Sequence, residues 1–399
     1  MTFHDFGFEA RLIEGIEALG YKQATPIQEQ AIPVILKEQD LIGAAQTGTG
    51  KTAAFLLPVI QQVLSIPHDN RIKALVIVPT RELAMQIDQQ MEGLSYFTPV
   101  SSIPVYGGTD GASFSREKQA LMNGADMVIC TPGRMIAHLN MGYVNFGSLR
   151  YLILDEADRM LDMGFHEDIM KIISHIPADR QTLMFAATMP VEIRELARKI
   201  LRDPVEINIA VSKPADNILQ LAYSVYETQK IALAEYLLKD LKGRSVLIFC
   251  STKSATKQLT AALKRLRLNA EEIHSDLDQP AREAVLMKFR NKALDILVAT
   301  DIVSRGIDID DIDLVLNYDV PNEGEDYIHR IGRTARASSR GAAITLISEK
   351  DQRKFAVIEQ LLGKPVHKGT LPLFLGTGPV FNPKNKTVKS YRGKKKQVK

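Results

Sequence analysis

Between residues 41 and 52 the chain reads Leu-Ile-Gly-Ala-Ala-Gln-Thr-Gly-Thr-Gly-Lys-Thr. An apolar run that breaks into a Gly-rich turn and closes on Lys-Thr predicts a strand, a phosphate-cradling loop and the head of a helix. Ala45 stands where the Gly-x4-Gly-Lys-Thr pattern begins with Gly. In such a loop Gln46, Thr47, Gly48, Thr49 and Gly50 bring backbone N–H groups to the phosphates. Lys51 adds a point charge, and the Thr52 hydroxyl reaches Mg²⁺. Loops of this kind occur by chance often enough to need a second signal.

The second signal is Leu154-Asp155-Glu156-Ala157-Asp158, where another apolar run ends in carboxylates. Asp155 at a strand end can hold Mg²⁺, and Glu156 can orient and deprotonate the attacking water. Acid pairs at loop starts are usually solvated turns; beside a phosphate loop the catalytic reading takes precedence. The two motifs together predict binding and hydrolysis of a nucleoside triphosphate. Phosphoryl transfer also needs a cation for the charge that develops. His329-Arg330-Ile331-Gly332-Arg333-Thr334-Ala335-Arg336 offers it, with Arg333 and Arg336 at i, i+3 on one helical face. The bland alternative is a basic helix end paired with local acids. Fingers supplied across a cleft would make hydrolysis depend on closing two domains.

Short β-rich runs alternate with helical patterns along the chain. Strands are predicted at 41–45, 74–78, 103–106, 127–130, 152–154 and 183–185, then at 221–226, 246–250, 272–274, 296–299, 314–317 and 343–347. As continuous apolar runs they read as buried on both faces. The segments between them, such as the one presenting Leu259, Leu263 and Leu266 on one stripe, supply amphipathic helices. This alternation predicts an α/β fold with parallel sheets and right-handed crossovers.

At 399 residues the chain exceeds one ordinary core. Polar, Pro-containing sequence over 203–217 marks a break, which gives domains over 1–208 and 209–362. From Gly363 onward there are ten Lys/Arg and no Asp or Glu; with a net charge of +3 for the whole chain, the remainder carries −7. Residues 363–399 are therefore expected to form a disordered basic tail, an arm for nucleic acid. A merely solubilising end is the alternative.

Composition, at 45% hydrophobic and 24% charged, is that of a soluble globular protein. No apolar run approaches the roughly 18 residues of a membrane span, and the N-terminal residues do not read as a secretory signal. Cys130 and Cys250 each close an apolar run and are expected as buried reduced thiols, which points to the cytoplasm. No His/Cys grouping has zinc-ligand spacing, so no structural metal is expected.

With these motifs in this order, residues 3 to about 347 resemble a DEAD-box ATP-dependent RNA helicase of superfamily two, a bacterial-looking member with a short basic tail. The resemblance implies two tandem RecA-like domains, ATP and Mg²⁺ as cofactors, RNA as partner and a monomeric enzyme. Gly20-Tyr21-Lys22-Gln23-Ala24-Thr25-Pro26-Ile27-Gln28 is similar to the family's adenine-reading motif, with Tyr21 and Gln28 at the base and Phe3 as the upstream aromatic that stacks on it. Gln28 has the two-point amide for an adenine edge, although read alone it is an ordinary helix-start residue. Pro79, Thr80 and Arg81, Gly107 and Gly108, and Thr131, Pro132, Gly133 and Arg134 resemble the first domain's RNA contacts. Gln279, Arg282 and Thr300 resemble those of the second. Loop N–H groups, hydroxyls and Arg side chains can grip phosphates without reading bases, and the 2′-hydroxyls allow RNA to be preferred. Asp308 resembles the ribose contact, and His329 the residue that links the second domain to the first.

Three positions depart from the family pattern: Ala24 for Pro, Ala335 for Gly, and Ala186 in Ala186-Ala187-Thr188 where Ser-Ala-Thr is usual. The third bears on mechanism, because a Ser hydroxyl there would bridge Asp158 toward His329. Its absence is expected to raise the ATP spent per duplex separated, unless Thr188 or a water completes the network. The expected activity is RNA-stimulated ATP hydrolysis coupled to local, non-processive separation of short RNA duplexes. A non-unwinding RNA clamp and a DNA translocase are the alternatives.

Overall fold

The computed structural model describes residues 1–45, 48–67, 69–108, 111–209, 218–241, 243–300, 312–334 and 341–383, with the backbone alone for Gln279 and Glu325. The chain divides into two compact units, Met1–Ser212 and Lys213–Lys399.

In the first unit the strands are β1 (Leu41–Ala44), β2 (Ala74–Ile77), β3 (Ser102–Val105), β4 (Met127–Cys130), β5 (Tyr151–Leu154), β6 (Gln181–Ala186) and β7 (Val205–Asn208). They form one sheet in the order β3-β4-β2-β5-β6-β1-β7, every pairing parallel. β2, β4, β5 and β6 are buried at every residue, as strands covered by helices on both faces must be. Alternate side chains feed two cores. Ile153, Leu183 and Phe185 pack with Phe55 on one face, and Leu152, Leu154 and Met184 pack with Met135 and Ile169 on the other.

β7 carries no sequence signal of its own, because only Ile207 in it is buried. Asp40 ties it in. The Asp40 carbonyl accepts from Val205 N, and its carboxylate accepts from the backbone N–H groups of Thr182 and Arg202, each at 2.7 Å.

The second unit repeats the plan with β8 (Ile218–Ser224), β9 (Val246–Cys250), β10 (Ala270–Ile273), β11 (Ile296–Thr300), β12 (Leu314–Asn317), β13 (Gly341–Ile347) and β14 (His367–Lys368). Their order is β10-β11-β9-β12-β13-β8-β14, again parallel throughout. The expected α/β architecture of two parallel-sheet domains is therefore observed. One detail differs. The helix Lys253–Arg265 buries Leu259 and Leu263, whereas Leu266 lies past its end and is exposed.

The expected tail boundary at residue 363 is corrected. Residues 363–383 pack on the second unit: β14 pairs with β8, Gln229 Nε2 donates to the Leu375 carbonyl at 2.8 Å, and Phe381 meets Phe355 edge-on. The segment lacks acids and helical periodicity, but Val366 is buried and backbone carbonyls find side-chain donors on the unit. Residues 384–399 and most of the linker, 210–217, lie outside the described residues.

Candidate active site and nucleic-acid interface

In a parallel α/β sheet, ligands gather beyond the carboxyl ends of the strands. The first unit's strand order sorts the candidate residues along that edge. β5, β6 and β1 end in Asp155-Glu156, Ala187-Thr188 and the phosphate loop. β2, β3 and β4 end in Pro79-Thr80-Arg81, Gly107-Gly108 and Thr131-Pro132-Gly133-Arg134.

The helix Lys51–Leu64 starts directly from the loop. Gly48 and Gly50 have φ of +82° and +90°, a region where glycine carries no steric cost. At Gly50 space is also needed, since a Cβ there would come within 2.5 Å of Gln28 Nε2. Lys51 is 6% exposed and its Nζ has no hydrogen-bond partner among the described residues. Burying an ammonium without a partner is costly, so the loop is shaped for an anion; the Lys51 charge, which favours the ionised form of Asp155, places it near the acidic pair. Ala45 and Thr52 flank the loop as expected, while Gln46 and Thr47 lie outside the described residues.

Asp155 is buried, and burial pushes its carboxyl up to about 6 against the pull of Lys51, with Glu156 and Asp158 adding to the rise. A cation at this carboxylate would restore its ionised form. Glu156 has φ +51° and ψ +48°, in the left-handed region, as the cap of the helix Ala157–Asp162. Its carboxylate accepts from Arg159 Nη1 at 2.9 Å. The motif alone does not point to Arg159; its position three residues after Glu156 is the available signal.

Asp158 Oδ2 accepts three hydrogen bonds: from Ala187 N (3.1 Å), Thr188 N (2.9 Å) and Thr188 Oγ1 (3.1 Å). Ala186 is fully buried at the end of β6. The structure thus supports the reading in which Thr188 supplies the hydroxyl that position 186 lacks.

The residues expected to read the base are occupied otherwise. Gln28 Oε1 accepts from Thr25 N at 2.9 Å and its Nε2 donates to the Gly50 carbonyl at 3.1 Å, so this side chain caps a helix and ties it to the phosphate loop. Phe3 is 3% exposed, among Phe6 and Tyr21 at centroid distances of 6.2 and 6.1 Å. Its ring fills the core, whereas Tyr21 is half-buried and accepts from Gln90 at 2.8 Å.

On the other half of the edge, two of the motifs meet. Arg81 Nη1 donates to the carbonyls of Gly107 (3.4 Å) and Gly108 (3.1 Å), and its guanidinium lies 5.0 Å from the Tyr106 ring centre. Thr80 caps the helix Arg81–Ser95 through Leu83 N. Thr131 and Pro132 start the helix Pro132–Asn140, Gly133 is exposed, and Arg134 Nε donates to Glu117 at 2.7 Å.

In the second unit, Gln279 begins the helix Gln279–Arg290, capped by Asp278. Arg282 Nη2 donates to the Ser275 carbonyl at 3.1 Å, and Thr300 ends β11. His329 is on the helix Gly324–Ile331, but Arg333 is in the 3-10 turn Gly332–Thr334. The α-helix stops at Ile331, two residues before Arg333, and the face that Arg333 is expected to share with Arg336 lies outside the described residues. Asp308, Arg336 and the side chain of Gln279 lie outside the described residues. A polar core that the sequence did not reveal backs this region. Arg330 Nη1 donates to Asn317 Oδ1 and the Asp319 carbonyl at 3.1 and 2.8 Å, and fully buried Lys230 donates to Asp319 at 2.6 Å.

The DEAD/DEAH box helicase family model matches residues 25–196, and the helicase conserved C-terminal domain model matches residues 229–338. ATP-dependent RNA helicase CshA of Listeria monocytogenes is 41% identical over 363 residues, which is 91% of this chain and 69% of that protein. The probable ATP-dependent RNA helicase DDX47 of Homo sapiens is 42% identical over 365 residues, 91% of this chain and 79% of that protein. The solved structure of S. cerevisiae Dbp5 bound to RNA and ADP BeF3 is similar with a TM-score of 0.81 at 27% identity, covering 92% of this chain and 95% of that one. Motifs, topology and relatives agree, and the chain belongs to the DEAD/DEAH box helicase family.

Proposed function

We propose that this chain is an RNA-stimulated ATPase that separates short RNA duplexes locally, without processive translocation. The observation that carries the reading is the division of one sheet edge. The phosphate loop, whose Lys51 Nζ has no hydrogen-bond partner among the described residues, lies with buried Asp155 and Glu156 on one half of the edge, and the Arg81, Gly107-Gly108 and Arg134 loops lie on the other half.

In this reading Lys51 neutralises phosphate charge, and Thr52 and Asp155 would hold Mg²⁺, which would supply further positive charge at the phosphates. Glu156 orients the attacking water and takes its proton. Arg333 and Arg336 stabilise the transition state from the second unit, Asp308 contacts the ribose, and Gln28, Tyr21 and Phe3 select the base. Phe3 would have to give up part of its packing to do so. Gln279, Arg282 and Thr300 extend the RNA grip. Asp158, Thr188 and His329 couple ATP to RNA. RNA and ATP together close the domains on a bent strand that no longer fits a duplex, and hydrolysis releases it.

Domains over 1–208 and about 209–383, a basic arm beyond them, a monomeric state and a cytoplasmic location belong to the same proposal. The two buried, unpaired cysteines support that location, and no helix among the described residues is long and apolar enough to cross a membrane. The test is ATPase stimulation by single-stranded RNA against DNA, with strand displacement of a short RNA duplex measured beside it. Equal stimulation by DNA would favour a DNA translocase, and ATPase without displacement an RNA clamp.

A further inference from the structure

Glu117, on the helix Gly111–Asn123, is 4% exposed. One of its oxygens, Oε2, accepts from Arg134 Nε at 2.7 Å and lies 2.8 Å from His138 Nε2. His138 is fully buried, and its Nδ1 meets the Tyr143 hydroxyl. With that hydroxyl donating to Nδ1, Nε2–H donates to Glu117. Phe114, one turn before Glu117, stacks on His138 with centroids 4.3 Å and planes 13° apart. The Arg134 guanidinium lies 4.5 Å from the centre of the same Phe114 ring.

A buried carboxylate between two donors adds little to stability over apolar side chains of similar volume. What the arrangement does supply is a fixed orientation: Arg134 is held at Nε and laid against an aromatic ring, so its guanidinium plane is set. The same helix follows the Gly107-Gly108 turn that Arg81 grips. We infer that Glu117 is a positioning residue, which orients Arg134 for an RNA phosphate while His138 and Phe114 brace it. The inference rests on the RNA-binding reading above.

The test measures affinity for a fluorescein-labelled single-stranded RNA by anisotropy, together with RNA-stimulated ATPase, on the full chain. Glu117→Gln should bind RNA within about twofold of wild type, because one amide oxygen can accept from both donors. Glu117→Asp keeps the charge but withdraws the oxygen by a methylene. It should weaken RNA binding, and raise the RNA concentration for half-maximal ATPase, by roughly fivefold, the scale of one weakened charge-assisted bond. Its maximal rate should stay within about twofold, since the bond acts on RNA capture. In an Arg134→Ala background, itself weaker for RNA, Glu117→Asp should have no further effect.

Wild-type affinity in Glu117→Asp, an additive effect on top of Arg134→Ala, or Glu117→Gln as weak as Glu117→Asp would each overturn the inference. If Arg134→Ala binds RNA like wild type, the inference falls while the RNA-binding reading stands. If wild type does not bind RNA, both fall.

Discussion

Glu156 and Arg159 form a buried pair, the Arg159 guanidinium donating at 2.9 Å to a carboxylate whose backbone stands at φ +51°. Left-handed φ at a non-glycine residue costs of order 1–3 kcal/mol and gathers at functional sites. Here it falls at Glu156, two residues past the end of β5 and next to Asp155. Glu156→Gln keeps the shape and removes the proposed base. Turnover should fall about 10²–10⁴-fold while ATP and RNA remain bound. Normal turnover by that variant would refute the assignment of the base.

In the proposed mechanism Lys51 serves nucleotide binding and Arg333 the chemical step. Lys51→Ala removes the buried cation of the phosphate loop, so both nucleotide affinity and turnover should be lost. Arg333→Ala should lower kcat by about 10³-fold or more, the scale of an arginine finger, with a much smaller change in nucleotide affinity. Steady-state kinetics beside nucleotide titration separates the two, and full activity of Arg333→Ala would place the finger elsewhere.

Asp276 titrates in a predictable direction. Hydrogen bonds from Lys253 and Lys257, at 2.6 and 2.9 Å, hold its carboxyl down at about 2 from an ordinary 3.8. A folded value below the unfolded one means stability that is present above 3.8 and lost as pH falls toward 2. The group is exposed, so salt screens the effect. The thermal midpoints of wild type and Asp276→Asn should differ at about pH 5 and converge toward about pH 2. A constant gap across that range would contradict the pairing.

Legibility in the sequence followed burial. β2, β4, β5 and β9 are buried throughout and announced themselves as apolar runs. β7 and β14 sit at sheet edges, where one or no buried side chain leaves no pattern to read. The phosphate loop and acidic pair were legible because their chemistry needs residue types in fixed order. Arg159, Glu117 and Arg330 were not, because their partners are chosen by packing; Glu117 and Arg134 are seventeen residues apart. The Gln28 amide shows the same limit from the other side. Its place at a helix start was readable, and its bond to Gly50, twenty-two residues on, was not.

The basic residues beyond Pro383 give a prediction in salt. Deleting residues 384–399 should weaken RNA binding and leave maximal ATPase at saturating RNA nearly intact. For each phosphate that the shortened chain no longer neutralises, the log–log dependence of affinity on salt should flatten by roughly 0.7 on single strands. An unchanged slope would mean that this segment does not touch RNA and serves solubility.

Thr188 gives the last prediction. Asp158 takes three hydrogen bonds from Ala187 and Thr188, one of them from the Thr188 hydroxyl at 3.1 Å. Thr188→Val removes only that hydroxyl. A bond of this kind is worth about 0.5–1.5 kcal/mol net, or 1.5–3 kcal/mol to a charged acceptor, too little to decide folding. It is enough to shift a two-state equilibrium between open and closed complexes about tenfold, since about 1.4 kcal/mol is one decade. Duplexes separated per ATP should therefore fall several-fold in Thr188→Val. Ala186→Ser should leave the same ratio within about twofold, because the carboxylate it would serve already has its donors. Strand displacement and ATPase measured on one preparation of each variant give the ratio directly. A several-fold rise in Ala186→Ser with no loss in Thr188→Val would reverse the assignment and make position 186 the coupling residue.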